Sequence, residues 1–186
     1  SPLTQRFADQ IRTRMPVERI LRSPGKPVSV AFRNGQTREF DEVVIATHSD
    51  EALAMLGDPT EDERSVLGAL PYRENEVILH TDTRLLPKVQ RAWSSWNYRL
   101  KPDSGRAAVT YNMNILQGID APETFCVTLN DTASINPHRI LGRFNYAHPQ
   151  FTLAGMKAQQ RWGDINGRNG TWFCGAYWQN GFHEDG

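Results

Sequence analysis

The sequence predicts a mixed α and β protein, an α+β fold whose helices and mostly antiparallel sheet occupy separate stretches. Three observations carry this. Strand-like apolar runs separated by turn-rich segments crowd the region from Pro71 to Asp131. Helical spacing and capping signals lie on either side of it. An Asn34-Gly35 pair between two further strand-like runs marks a hairpin, because both residues tolerate positive φ.

In chain order, Leu3, Phe7 and Ile11 repeat at helical spacing and predict an opening amphipathic helix. Pro16–Arg22 and Val28–Phe32 predict two strands, turned by Ser23-Pro-Gly-Lys-Pro27. After the Asn34-Gly35 turn, Phe40–Thr47 reads as a strand buried on both faces at its centre. A helix follows from Ser49 to Leu56, closed by Gly57, with Ser49 or Asp50 as its cap. Thr60 and Glu63 form a capping box that starts the next helix, through Leu67. Strands are expected at 77–81, 92–98, 107–113, 125–129 and 140–146. Phe151, Ala154, Ala158 and Trp162 trace one more helical face, and Thr171–Cys174 begins a last buried strand that loses its side chain at Gly175.

Composition excludes several function classes. The chain has 186 residues, enough for a sizeable core, with 39% hydrophobic and 23% charged residues. Lys+Arg and Asp+Glu both number 21 and no basic run stands out, so nucleic acid has no electrostatic footprint. No apolar stretch is long enough to span a bilayer and no signal-peptide pattern opens the chain. Cys126 and Cys174 sit inside apolar runs and read as reduced core thiols of a cytoplasmic protein. His80, His138 and His148 lie far apart without Cys or carboxylate at ligand spacing, so no metal site is expected. His48-Ser49-Asp50 has the composition of a hydrolytic triad, but a working triad gathers its members from separate elements. Trp93, Trp96, Tyr98, Tyr111 and Met113 interleave with Asn97, Asn112 and Asn114, the pattern of an apolar pocket wall with a few polar groups, and equally of any buried sheet face.

The end of the chain is its most specific stretch: Phe173-x-Gly175, then Gly181-Phe-His-Glu-Asp-Gly186. A strand that breaks at glycine and enters an acidic, glycine-bounded cluster prepares a helix N-terminus, where carboxylates oppose the dipole. This ending resembles the last FAD-binding motif of the flavin-containing amine oxidase superfamily. It is most similar to a bacterial branch of NAD/FAD-dependent amine-oxidase-like proteins carrying Gly-Phe-His-Glu-Asp-Gly. Pro16-Val17-x-x-Ile20 and Asp41-x-Val-Val-x-Ala46-Thr47 also resemble that family, as does Leu141-Gly-Arg-Phe-x-Tyr-x-His-Pro149.

The resemblance implies an FAD-dependent oxidoreductase that removes a hydride equivalent from an amine or a hydrophobic C–C substrate. It places the adenine at the Val17 backbone, the dinucleotide beside Ala46 and Thr47, and the flavin ring by Gly175, Gly181, Phe182, His183, Glu184, Asp185 and Gly186. His183 becomes the candidate for proton transfer, since its ordinary pKa lies near neutrality. The family's opening G-x-G-x-x-G turn has no match here, so the chain reads as a C-terminal part lacking its dinucleotide-binding segment. Residues 1–48 and 165–186 would belong to a split FAD/NAD(P)-binding domain and residues 49–164 to a substrate domain. None of Lys88, Lys101 and Lys157 matches the lysine that many amine oxidases hold near the flavin. Two other readings stay open: a non-catalytic module for an apolar ligand, and a docking fragment completed by a partner.

Overall fold

The alternation at Val17–Leu21 (β1) and Val28–Phe32 (β2) folds these runs against each other, antiparallel, and the Asn34-Gly35 turn brings Thr37–Phe40 (β3) back onto β2. Gly35 takes the positive φ of 83° that the pair was expected to supply. The computed structural model describes residues 4–100, 108–181 and 185. It divides into two compact units, Ser1–Tyr72 with Pro149–Gly186, and Arg73–His148. The domain boundaries expected from the sequence fall instead at 48/49 and 164/165. The helices between those points have their buried residues in the first unit's core.

In the first unit the order β1–β2–β3 leaves β1 at a sheet edge. A second, parallel pair joins Val43–Ile45 (β4) to Thr171–Phe173 (β10). Helices Ser49–Met55 (α1), Glu61–Leu67 (α2), Leu153–Gln159 (α4) and Trp162–Ile165 (α5) supply much of the rest. Ile20, Val28, Ile45, Val66, Leu67 and Phe173 are among the residues that close the core. The second unit is one five-stranded sheet in the order β6–β7–β8–β5–β9. Its strands are Tyr72–His80 (β5), Trp96–Arg99 (β6), Ala108–Asn112 (β7), Cys126–Leu129 (β8) and Ile140–Pro149 (β9), with the short helix Met113–Gln117 (α3) after β7. The β6–β7, β7–β8 and β5–β8 pairs are antiparallel.

Four expectations are corrected. The opening helix is a 3-10 segment, Gln5–Gln10, kinked at Phe7 and burying nothing, because Phe7 and Ile11 are 46% and 45% exposed and gain no core to hold them. The run Phe40–Thr47 is broken at Asp41-Glu42 into β3 and β4, and Val44 is exposed, so only Ile45 is buried as expected. The face Phe151–Ala154–Ala158–Trp162 is split by the end of α4; the new helix resets the phase, and Gly155, Ala158 and Ile165 are the buried positions. The cap of α1 is His48, whose N–H donates to Glu51 at 3.3 Å. Asp50 accepts from Glu51 N–H, and Ser49 is buried. The capping box at Thr60 and Glu63 forms as expected.

The first unit is tied together by a buried charge. The Arg22 guanidinium donates to both Glu63 oxygens at 2.5 and 2.8 Å and to Asp58 at 3.0 Å, with the Arg22 and Glu63 side chains 2% and 1% exposed. Glu63 also accepts from Thr60 N–H at 2.7 Å, so one carboxylate caps α2 and neutralises Arg22, the residue after β1. Burial pushes the Glu63 pKa up, but Arg22 and the Thr60 N–H outweigh it and hold it below the ordinary value. Stability from this group is therefore present above the unfolded glutamate's pKa and is lost as pH falls through its lowered folded value. Glu63→Ala leaves Arg22 buried and unpaired and is expected to cost about 3–5 kcal/mol in urea denaturation. Glu63→Gln is expected to flatten the acid limb of stability against pH.

Candidate functional site

The edge position of β1 builds the first cleft. Ile20 and Arg22 turn main-chain groups to the outer side, where Ile20 C=O accepts from Gly57 N–H at 2.8 Å and Arg22 N–H donates to Asp58 at 2.9 Å. The half around Val17, where a bulge interrupts the pairing with β2 before Arg19, has no strand on that side among the described residues. A cleft of ≈ 620 Å³ opens there. Val17 lines it together with Ala46 and Thr47 at the end of β4, and Arg33 and Glu51 bring charge to it. Residues 29 and 30 positions apart in sequence thus share one wall.

A second cleft, of ≈ 490 Å³, lies where β10 ends. The parallel ladder continues one step past the strand, Cys174 N–H donating to Ile45 C=O at 3.0 Å. The carbonyl of Phe173 accepts from two indoles, Trp162 at 3.3 Å and Trp178 at 3.2 Å, and these with Cys174 and Gly175 wall the cleft. Gly175 has φ of 155°, and a Cβ there would lie 2.5 Å from the ring of Tyr177. The residue must be glycine because Tyr177 fills the space. Gly181 has φ of 85° and donates to Ala176 C=O; Asp185 lines the cleft and accepts from Asn180 N–H at 3.0 Å. Phe182, His183, Glu184 and Gly186 lie outside the described residues.

Sequence reasoning missed the hydroxyls behind this cleft. Tyr72 accepts from Ser49 N–H at 3.1 Å and stacks on His48, ring centroids 4.4 Å apart. Tyr177 is 3% exposed, and burial, with Tyr72 and Cys174 adding and outweighing Trp178, pushes its pKa well above the ordinary value. The only sequence signal was an aromatic two residues after Gly175. With His48 stacked on Tyr72 and Asp50 accepting from Glu51 N–H, His48-Ser49-Asp50 does not form a triad.

In the second unit Trp96 and Tyr98 share one sheet face with Tyr111, whose ring meets Trp96 edge-on at 6.3 Å. Trp93 stands in the preceding loop and donates to Pro87 C=O at 2.8 Å, while Met113 leaves the sheet as the first residue of α3. The opposite face is buried and polar. Asp82 N–H donates to His80 Nδ1 at 3.0 Å, so the ring's proton sits on Nε2 and is donated to the Thr128 hydroxyl at 2.7 Å, which reaches Thr110 at 2.8 Å. Burial pushes the His80 pKa down, against the charge of Asp82, and keeps the ring neutral. Among the described residues no group of three metal-ligating side chains occurs, and no helix is long and apolar enough to cross a membrane.

The model of the flavin containing amine oxidoreductases matches residues 1–125. The chain belongs to that family. A flavin is the family's cofactor, and the mixed helix-and-strand fold recurs in solved structures. A CLA-producing fatty acid isomerase from P. acnes is 16% identical, with a TM-score of 0.62 over 92% of this chain and 44% of that one. Cyclohexylamine oxidase from Brevibacterium oxydans IH-35A is 12% identical, with a TM-score of 0.57 over 96% of this chain and 46% of that one. Reduced UDP-galactopyranose mutase is 10% identical, with a TM-score of 0.55 over 88% and 41%. At these identities the likeness is one of fold, and the chain spans less than half the length of each. No curated protein matches it in sequence.

The two thiols should separate by reactivity. Cys126 is fully buried, its pKa pushed up to about 11 by burial and then by Asp82, whereas Cys174 is half-buried in a cleft wall. Iodoacetamide near pH 8 is expected to alkylate Cys174 and spare Cys126, read by peptide mass. Gly175→Ala is expected to destabilise the protein by about 1–3 kcal/mol, through collision with Tyr177, in thermal unfolding.

Proposed function

We propose that this chain is part of an FAD-dependent oxidoreductase that removes a hydride equivalent from an amine or a hydrophobic C–C substrate. The first unit forms part of the dinucleotide-binding domain and the second part of the substrate domain. One observation supports this above others: in a chain of the flavin family, Val17 and Ala46–Thr47, the residues of two motifs, line a single cleft on the open edge of β1. The donor set there fits a dinucleotide. An uncovered strand edge offers main-chain N–H and C=O to the adenine, Glu51 offers a carboxylate to a hydroxyl, and Arg33 offers charge to a phosphate.

A bound flavin supplies the two-electron acceptor. The chain's own residues bind and orient. The apolar walls of the β1 cleft exclude water from the adenine. Cys174, Gly175 and residues 181–186 take the ring end, with Gln159 Nε2 holding the intervening turn through Tyr177 C=O and Gln179 C=O, both at 2.8 Å. His183 moves the proton released when substrate is oxidised. Trp93, Trp96, Tyr98, Tyr111 and Met113 contact substrate.

Thr47→Trp tests the reading by filling the β1 cleft at an exposed position without touching the core. The protein carrying this chain is expected to show flavin absorbance as purified. The variant should lose about tenfold or more of its FAD while keeping its circular dichroism spectrum. Unchanged flavin content in the variant would sink the assignment of this cleft.

A further inference from the structure

A third cleft lies in the second unit, along β6, the edge strand of the sheet, and the segment from Arg84 to Ser94. Its volume is ≈ 500 Å³, in the range of small-molecule sites. Leu85 and Leu86 are buried beneath it, while Trp96 and Tyr98 keep 58% and 62% of their surface exposed beside it. Among the described residues, the charges that line it are all positive: Arg84, Lys88 and Arg99.

Two of these cations are fixed from behind. Arg84 donates to Asp82 twice, Nε at 2.8 Å and Nη2 at 2.5 Å, and the Asp82 side chain is only 4% exposed and is anchored in turn by Asn136 N–H at 2.8 Å. Arg99 is paired with Asp131, a side chain 1% exposed, and donates to Ser134 at 2.9 Å. Each buried carboxylate balances one arginine and sets the plane of its guanidinium. Lys88 is exposed and in no ion pair among the described residues. Among the described residues, three cations against two carboxylates leave one positive charge beside an apolar, aromatic wall. A protonated amine is repelled there; a single carboxylate is not.

We propose that this cleft binds a monoanionic hydrophobic molecule, its carboxylate at Lys88 and its apolar body against Leu85, Leu86, Trp96 and Tyr98. Trp96 and Tyr98 supply flat surface at low conformational cost, and the pre-oriented guanidiniums add donors without reorganisation. The site lies in the second unit and shares Trp96 and Tyr98 with the substrate wall proposed above, so of the two substrate classes named there it favours the hydrophobic one over the amine.

The test is calorimetric titration of the protein carrying this chain with decanoate, 1-decanol and decyltrimethylammonium, all below micelle formation. Decanoate is expected to bind saturably, one per chain, about tenfold or more tighter than the other two. Lys88→Glu is expected to remove that preference, and Trp96→Ala to weaken all binding; Lys88 is exposed, so its substitution leaves folding intact. Equal affinity for 1-decanol and decanoate, unchanged decanoate binding in Lys88→Glu, or no saturable binding would each overturn the proposal. Flavin content read on the same samples reports on the flavin reading separately.

Discussion

The buried guanidinium of Arg22 is the constraint on which the first unit depends. Burying an arginine beside a glutamate is costly unless both are fully hydrogen-bonded, and the pair contributes specificity of arrangement more surely than net stability. Here every partner has a second task. Glu63 closes the N-terminus of α2, and Asp58, just past α1, accepts from both the side chain and the main chain of Arg22. A slip of β1 by one residue would turn Arg22 to the other face and strand all three groups. Register, helix capping and the α1–α2 connection are therefore set by one charge.

The same charge decides where the first unit is open. It draws the segment after α1 onto the outer edge of β1 from Ile20 to Arg22, which covers that half of the strand. The half at Val17 is left with its edge uncovered, and the cleft lined by Ala46 and Thr47 is the result. Closure at one end of a short strand and access at the other follow from a single interaction. The β10 end is built differently, by packing: two indoles share the Phe173 carbonyl, and Tyr177 occupies the space that Gly175 leaves.

The second unit uses carboxylate–arginine pairs in the opposite sense. In the first unit both side chains of the Arg22–Glu63 pair are buried, and of the cluster only Asp58 reaches the surface. In the second, Asp82 and Asp131 are buried while Arg84 and Arg99 stay 67% and 43% exposed, so their heads are held at a surface. A carboxylate beneath an exposed arginine positions it without hiding it. The sheet's inner face is polar as well, with His80, Thr128 and Thr110 bonded in series, which leaves its apolar cluster small: Ile78, Leu85 and Ile135 with Ile140 against them.

What the sequence determined by itself was local and chemical. The Thr60–Glu63 capping box, the Asn34-Gly35 hairpin and the strand Val28–Phe32 depend on neighbours within a few residues, and each formed where the residues placed it. The family, too, was legible, because its motifs are short runs of fixed spacing. Burial was not, since it depends on what packs against a face. Phe7 and Ile11 make a helical stripe that gains no core, Val44 sits mid-run yet exposed, and Gly155 is buried where Phe151 was expected. Only the tertiary structure brought Val17 to Ala46 and Thr47, placed Tyr177 behind Gly175, and left Lys88 the one cation without a carboxylate at its cleft among the described residues. Those are long-range contacts, fixed by a buried ion pair and by packing, and periodicity along the chain carries no record of them.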